Sequence, residues 1–300
     1  MTLGWDRPLY MLAFDHRASF SKNLLGFSGA LAPEEHDRVS DAKRVIYDAF
    51  ELALADGIDA RTAGLLVDEE FGADVAPRAR TTGSSLAMPV ERSGQDEFDF
   101  EFGEEFGHHI EAFDPTFAKV LVRYNPDGDQ ELNRRQAARL RRLSDWLHER
   151  ERKFLFELLV PATAEQLARV GGAKVRFDAE LRPELTVRVV AELQSAGVEP
   201  DIWKIEGFEA RADCEVVADR ARSGGRDGVV CIVLGRGADE AKVVHWLGQG
   251  AGVPGYAGFA VGRTLWWDEL VAYVAGDVES AEASARIAAN YLRLVRAYHG

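Results

Sequence analysis

Short runs of branched and aromatic residues recur along the chain between segments of helical periodicity. This alternation is typical of repeated βα units around a parallel sheet. The runs that fit the strand pattern number eight, over residues 9–14, 64–68, 84–89, 117–124, 154–160, 201–206, 229–234 and 256–261. Eight strands separated by helices predict an α/β fold, a single (β/α)8 TIM barrel that takes up residues 1–300 as one domain.

The segments between these runs carry helix signals. One helix is expected to begin at Pro33, whose fixed φ suits the first helical position, and to end at Gly57. A second covers residues 130–152, with leucines on the face toward the barrel and arginines on the other. A third over residues 279–298 closes the outer ring. The Phe- and Glu-rich segment 95–114 predicts an elaborated loop and helix.

The charge balance narrows the classes of partner. The 300 residues include 36 basic and 50 acidic side chains, for a formal charge of -14, so we expect no nucleic-acid or membrane partner. The predicted helix 130–152 does carry a cluster of arginines, with acidic residues interleaved and no aromatic platform, which favours a solvated face over a nucleic-acid interface. Any anionic ligand must then be held by local features.

The cysteines and the lack of long apolar segments indicate in which cellular compartment the protein is found. Cys214 and Cys231 have no CxxC spacing, and we expect two reduced thiols. The first residues lack a basic segment followed by an apolar stretch, and no apolar run is long enough to cross a bilayer. These features predict a cytoplasmic protein.

Lys204 lies in the middle of the apolar run 201–207. A lysine on a buried strand keeps its charge only if it is paired. Otherwise its pKa falls and its amine becomes a nucleophile that can form a Schiff base with a carbonyl. Two interpretations follow: imine catalysis, or a lysine at a strand end that snorkels to solvent and pairs with Glu206.

Strand alternation shows which charged residues can meet inside the barrel, because residues two apart share a face. Lys119 on the fourth strand and Lys204 on the sixth can both point inward, so one ammonium is expected to depress the pKa of the other. Glu157 lies on the strand between them. It is placed to shuttle protons during carbinolamine formation and dehydration, or to form a buried ion pair with Lys119, and both can hold together.

Two glycine-arginine pairs follow the last two strands. Gly235 with Arg236 and Gly262 with Arg263 lie where this fold commonly builds a phosphate site from backbone NH groups and a cation. The alternative is that the glycines serve tight turns and the arginines pair with neighbouring helices.

Other polar residues follow the first and fourth strands. Arg17 and Arg123 are candidates for binding a substrate carboxylate. His16 is a candidate substrate contact, or a strand-end histidine with its hydrogen bonds satisfied within the protein. The histidines show no spacing typical of a zinc site, so we expect no metal.

These motifs together resemble the class I, Schiff-base tagatose-bisphosphate aldolase group. The stretches that carry the resemblance are AFDHR at 13–17, LLVDEEFG at 65–72, AKVLVRY at 118–124, FELL at 156–159, DIWKIE at 201–206 and GR at 262–263. A closer likeness is to the aldolase domain often fused behind a 5-dehydro-2-deoxygluconokinase in inositol catabolism. That likeness is carried by ELLVPAT at 157–163, GVEPDIWKIEG at 197–207, LGRG at 234–237 and GFAVGRT at 258–264.

The resemblance implies a role for each matching residue. Lys204 would form the imine, Glu157 would shuttle protons, and Asp15 and Lys119 would line the same site. It also implies a carbon-carbon lyase without a cofactor that cleaves 2-deoxy-5-keto-D-gluconate 6-phosphate to dihydroxyacetone phosphate and malonate semialdehyde. The oligomeric state stays open, with a homo-oligomer as one option. The base that removes the hydroxyl proton stays open among Asp15, Glu157 and a water held by Lys119.

The sequence leaves three alternative functions open. One is an aldolase for another ketose phosphate, of the tagatose bisphosphate or sulfofructose phosphate type. A second is a metal-dependent aldolase, in which a divalent cation replaces the imine as electron sink. The third is a barrel that binds a sugar phosphate without cleaving it, which is disfavoured because mere binding does not require a buried amine.

Overall fold

A computed structural model of the chain describes residues 2–73 and 75–300. The described residues form eight parallel strands that pair in sequence order and close between β1 and β8, which confirms the predicted (β/α)8 barrel. The strands are β1 Leu9–Ala13, β2 Ala63–Leu66, β3 Ser85–Pro89, β4 Phe117–Arg123, β5 Lys153–Leu159, β6 Ile202–Glu206, β7 Val230–Leu234 and β8 Tyr256–Val261. Each observed strand begins and ends within two residues of a predicted run.

Helices follow the strands and form the outer layer. They are α1 Ala18–Leu25, α2 Pro33–Ala55, α3 Glu69–Gly72, α4 Val75–Thr82, α5 Phe106–Phe113, α6 Gln130–Glu149, α7 Ala164–Arg169, α8 Lys174–Glu180, α9 Arg182–Ser195, α10 Arg211–Arg222, α11 Glu240–Gly250, α12 Arg263–Ala275 and α13 Ser280–His299. A 3-10 helix covers Gly103–Glu105. The helices expected at 33–57, 130–152 and 279–298 are therefore confirmed, as is the elaborated segment 95–114.

The barrel interior changes character along its axis. Toward the N-terminal ends of the strands, inward side chains form an apolar core. Its members are Leu9, Met11, Ala13, Leu66, Ala87, Phe117, Leu155, Ile202, Ile232 and Ala260. Two residues further along β4, β5 and β6, the inward positions are Lys119, Glu157 and Lys204, all buried. Charged groups are therefore concentrated above an apolar floor, at the end of the barrel where this fold carries active sites.

The opposite end of the barrel is tied together by Asp201, the first residue of the run that contains Lys204. Its Oδ1 accepts hydrogen bonds from Gly4 N and from Lys153 Nζ, each at 2.8 Å. Its Oδ2 accepts from Phe154 N at 2.8 Å. Since Asp201 is 1 % exposed, its charge is balanced by Lys153 and by backbone donors rather than by water. The N-terminal segment is thereby fixed across the base of the barrel.

The arginine-rich face of α6 pairs with acidic residues of the segment after β3. Arg135 Nη2 lies 2.8 Å from Glu97 Oε2, and Arg142 Nη2 lies 2.6 Å from Glu104 Oε2. On the opposite face Leu140, Leu143 and Leu147 are fully buried. The cluster is therefore a partly solvated helix face, as expected, and these two of its arginines pair with acidic residues outside α6.

Two further expectations concern cysteines and membrane spans. Cys214 and Cys231 are buried and free of disulfide bonds. Within residues 2–73 and 75–300, none of the helices combines the length and hydropathy that a membrane span requires.

Replacing Asp201 with alanine should destabilise the barrel strongly, because Lys153 would keep a buried charge without its carboxylate. Breaking a buried ion pair in this way costs about 3–5 kcal/mol. Urea unfolding followed by circular dichroism measures the free energy of unfolding. Asp219→Ala, which removes an exposed carboxylate from α10, is the control and should change stability by no more than about 0.5 kcal/mol. Equal stability of the two variants would contradict the role given to Asp201.

Candidate active site

A cavity of about 330 Å³ opens at the C-terminal ends of the strands. Every candidate site residue from the sequence lies in its wall: Asp15, His16, Arg17, Lys119, Arg123, Glu157, Lys204, Gly235, Arg236, Gly262 and Arg263. A larger cavity of about 750 Å³ lies at the opposite face, next to Trp5, Tyr10 and Tyr298. We place the candidate chemistry in the smaller cavity because it alone of the two brings buried ammonium and carboxylate groups together in the described residues.

Lys119 is the centre of a carboxylate cluster. Its Nζ lies 2.8 Å from Asp15 Oδ2, 2.8 Å from Glu91 Oε1 and 3.0 Å from Glu157 Oε2. The side chain is 1 % exposed. An ammonium group has three N–H donors, so these three contacts match its full donor capacity. Lys119 therefore fixes the relative positions of residues from three different strand ends.

Glu157 joins the two lysines. Its Oε2 lies 3.0 Å from Lys204 Nζ and 3.0 Å from Lys119 Nζ. Glu157 and Lys204 are paired residues in the β5–β6 register, so the backbone itself places their side chains next to each other. Lys204 is almost fully buried and pairs with Glu157 rather than with Glu206, so the interpretation as a snorkelling lysine does not hold.

The mutual contacts set the protonation of the cluster. Burial opposes the charge on Lys119, but Asp15, Glu157 and Glu91 raise its pKa well above the ordinary value. The expectation that one lysine depresses the pKa of the other therefore fails for Lys119, whose pKa the three carboxylates raise. Burial likewise opposes the charge on Glu157, yet Lys119 and Lys204 lower its pKa. The same two lysines lower the pKa of Asp15 against the effect of its burial.

Glu91 is a member of this cluster that the sequence interpretation did not include among the site residues. It follows β3 by two residues, is buried, and its Oε1 accepts a hydrogen bond from Lys119. Burial raises its pKa, although Lys119 and Arg17 act in the opposite direction. The signal in the sequence is its place after the third strand, where Glu91 and Arg92 form a polar strand end.

His16 lies in the wall beside β8. Burial lowers its pKa to about 4, so the ring is neutral at neutral pH. The ring makes an edge contact with Trp266, with centroids 5.7 Å apart. Its Nδ1 is buried and, among the residues that the structure describes, has no hydrogen-bond partner. The second interpretation, a histidine fully satisfied by the protein, is therefore not what this geometry shows.

Arg17 and Arg123 hold the segment that follows β3. Arg17 donates to the carbonyl of Glu91 at 2.5 Å and pairs with Glu101 Oε2 at 3.1 Å. Arg123 donates to the carbonyl of Gln95 at 3.0 Å. We call residues 91–101 the strap: its first five residues line the cavity, Arg17 holds both of its ends, and Arg123 holds its middle. The carboxylate-binding role of the two arginines stays a prediction, and each already has a protein partner.

Arg236 also has protein partners. Its Nε lies 3.0 Å from Glu206 Oε1, and its Nη1 lies 3.0 Å from Asp178 Oδ2 on α8. Its backbone has a φ of 53°, which is uncommon outside glycine and directs the side chain toward β6 and α8. Arg263 is exposed at the mouth, where its Nη2 lies 3.4 Å from the carbonyl oxygen of Arg236. Arg263 is thus the more accessible cation for an anionic ligand.

Gly262 is required by close packing where β8 meets α12. A Cβ at this position would lie 2.3 Å from the carbonyl oxygen of Ala13. A Cβ at Gly235 would lie 3.0 Å from Val261 Cγ1. The glycines therefore bring the two loop backbones against neighbouring strands. Helix α12 begins at Arg263, so its N-terminus lies at the cavity wall, a position suited to an anion.

Carboxylate, histidine and cysteine side chains are the usual protein ligands of metal ions. Among residues 2–73 and 75–300, no group of three or more such side chains is arranged to hold a metal ion. The ammonium of Lys119 occupies the position at which the carboxylates of Asp15, Glu91 and Glu157 converge.

Solved structures with the same barrel include several aldolases. The protein Cgl0159 from Corynebacterium glutamicum superimposes with a TM-score of 0.60 at 18% identity, over 98% of this chain and 88% of that one. A fructose-bisphosphate aldolase from Slackia heliotrinireducens gives a TM-score of 0.55 at 14% identity, over 93% and 85%. An archaeal fructose 1,6-bisphosphate aldolase gives 0.56 at 15% identity, over 98% and 94%. At such identities the likeness establishes the shared fold.

Sequence comparison assigns almost the whole chain to one family. No curated protein matches the chain. A family model matches residues 4–300, almost the whole chain. The chain therefore belongs to the family described as an uncharacterized protein conserved in bacteria (DUF2090).

Proposed function

We propose that this protein is a class I aldolase in which Lys204 forms a Schiff base with a phosphorylated keto sugar. The observation that carries the proposal is the buried Lys204 amine, held 3.0 Å from the Glu157 carboxylate in the wall of the cavity. A nucleophilic amine beside a proton-transferring group is what imine formation requires. The barrel is also similar to that of a Schiff base forming fructose-1,6-bisphosphate aldolase, with a TM-score of 0.54 at 14% identity.

In this mechanism the neutral amine of Lys204 attacks the ketone carbon and gives a carbinolamine. Glu157 supplies the proton with which the hydroxyl leaves as water. The protonated imine accepts the electron pair of the carbon-carbon bond while a base removes the hydroxyl proton of the departing aldehyde half. Protonation and hydrolysis of the resulting enamine release the ketone product. Asp15 is our candidate for the base, because its ionised carboxylate lies in the same wall.

The charges around the cavity support an anionic substrate. Seven cationic side chains and three carboxylates are present among the described residues of its wall, in a chain whose formal charge is -14. Arg263 is accessible on the side of β8, beside the amides of α12, and would bind a phosphate there. Arg123 and the strap line the other side of the cavity. They would face the polar end of the substrate that lies away from the phosphate.

We therefore propose 2-deoxy-5-keto-D-gluconate 6-phosphate as the substrate, with dihydroxyacetone phosphate and malonate semialdehyde as products. Its phosphate lies on the ketone half, which would stay bound to Lys204, and its carboxylate lies on the half that leaves. Comparing its turnover with that of tagatose and fructose bisphosphates tests the choice. A higher kcat/KM for either bisphosphate would overturn the proposed substrate while leaving the imine mechanism in place.

Lys204→Ala should abolish turnover and leave the fold intact, because alanine lacks the nucleophile and leaves Glu157 paired with Lys119. Steady-state product formation and a circular dichroism spectrum measure the two properties. Lys22→Ala, which removes an exposed lysine of α1, should retain wild-type turnover. Normal turnover in Lys204→Ala would exclude the imine mechanism.

Glu157→Gln should slow imine formation by about 10²–10⁴-fold, which is typical for the loss of a general acid-base group. Ligand affinity should fall only modestly, because the amide keeps the shape of the side chain. Rapid-mixing kinetics with dihydroxyacetone phosphate measures the rate, and equilibrium titration measures the affinity. An unchanged rate would remove Glu157 from proton transfer.

Arg263→Ala should weaken phosphorylated ligands more than their dephosphorylated forms, since only the former use the cation. Calorimetric titration with dihydroxyacetone phosphate and with dihydroxyacetone gives the two affinities. Arg286→Ala, at an exposed site on α13 that pairs with Glu282, controls for loss of a surface charge. Equal losses for both ligands would contradict a phosphate site at Arg263.

A further inference from the structure

Glu91 is a buried carboxylate for which the proposed imine mechanism has no use. One oxygen, Oε1, lies 2.8 Å from Lys119 Nζ. The other, Oε2, is buried and has no hydrogen-bond partner in the described part of the chain. A buried charged oxygen without a partner is costly, and protonation removes that cost. Protonation of Glu91 therefore costs less free energy than protonation of Asp15 or Glu157.

Glu91 is connected to Lys204 by a continuous series of polar contacts. Lys204 Nζ and Glu157 Oε2 are 3.0 Å apart, and Glu157 Oε2 and Lys119 Nζ are also 3.0 Å apart. Lys119 Nζ and Glu91 Oε1 are 2.8 Å apart. All four side chains are buried, so protons can pass along the series without entering solvent.

The charged groups that face Glu91 come from two further elements. Lys119 on β4 and Arg17 after β1 favour its ionised form, whereas Asp15 after β1 favours its protonated form. Arg17 also donates to the backbone carbonyl of Glu91, which fixes the start of the strap. Burial outweighs the two cations and raises the pKa of Glu91, in contrast to the lowered pKa values of Asp15 and Glu157.

Imine formation requires a group that can hold a proton between two steps of the reaction. Lys204 must lose a proton before its nitrogen can attack, and the leaving hydroxyl must gain one afterwards. If the first proton went to solvent, the reaction would depend on bulk pH. A proton held inside the cluster would be available for the second step.

Resting on the aldolase proposal, we propose that Glu91 stores the proton that Lys204 gives up, and acts through Lys119 rather than on the substrate. In one coupled transfer Lys204 gives a proton to Glu157, Glu157 passes a proton on to Lys119, and Lys119 gives one of its own protons to Glu91. The net change is a neutral Lys204 and a protonated Glu91. After attack and transfer of one N–H proton to the new oxygen, Glu91 returns a proton to Lys119, Lys119 passes one to Glu157, and Glu157 gives one to the hydroxyl that leaves as water. Glu91 and Glu157 are then ionised again and Lys119 is again an ammonium.

The test is the pH dependence of imine formation with dihydroxyacetone phosphate, trapped by borohydride after short reaction times. In the wild type the rate should be nearly level around neutral pH, because the proton moves within the cluster. In Glu91→Gln the cluster lacks its proton store, and Lys119 and Lys204 keep the pKa of Glu157 low, so the proton must leave to solvent. The rate should then rise about tenfold per pH unit before it levels off. If Glu91 acted only through its negative charge, Glu91→Gln would change the pH at which the rate profile bends. It would not turn a level profile into one that rises about tenfold per pH unit.

Two variants complete the test. Glu91→Asp keeps an ionisable group and should restore a level profile at a lower rate. Glu101→Gln removes a negative charge from the strap beside Arg17 and should leave the profile level. A level profile in Glu91→Gln, or a slope in Glu91→Asp as steep as in Glu91→Gln, would overturn the relay. The absence of any wild-type adduct on Lys204 would instead overturn the aldolase proposal, and the relay with it.

Discussion

The carboxylate of Glu157, shared between two buried ammonium groups, is the interaction on which the candidate site depends. Its Oε2 lies 3.0 Å from both Lys119 and Lys204. Both lysines are almost fully buried, so each would lose hydration without a replacement if the carboxylate were absent. Glu157 allows the ammonium groups of Lys119 and Lys204 to lie close together inside the barrel. It also places a proton acceptor next to one amine while the other amine is held by Asp15 and Glu91.

The barrel supports this cluster by dividing its interior into an apolar half and a charged half. Phe117, Leu155 and Ile202 occupy the floor, and the next inward positions on the same strands carry Lys119, Glu157 and Lys204. A rigid, well-packed floor limits how far the charged side chains can move, which keeps their contacts in place before a substrate arrives. The strap and the arginines that hold it then define one side of the cavity. Arg236, tied to Glu206 and Asp178, defines another.

The fold could be predicted almost completely from the sequence, and the site in part. Period-two alternation placed Lys119, Glu157 and Lys204 on inward faces, because that rule depends only on local backbone geometry. The shared oxygen of Glu157 could not be predicted, since it follows from the pairing register of β5 with β6. Glu91 was missed because it lies beyond the end of β3, where no strand periodicity applies. The partners of Arg17, Arg123 and Arg236 lie in the strap, β6 and α8, so local spacing could not reveal them.

The most direct test of the central claim is borohydride reduction in the presence of dihydroxyacetone phosphate, followed by peptide mass mapping. The account predicts a single adduct on the peptide that contains Lys204, because this amine lies in the cavity beside a proton-transferring carboxylate. Lys119 should stay unmodified, since three carboxylates hold it as an ammonium. An adduct on Lys119, or no adduct in folded protein that binds the ligand, would contradict the claim that Lys204 is the Schiff-base lysine.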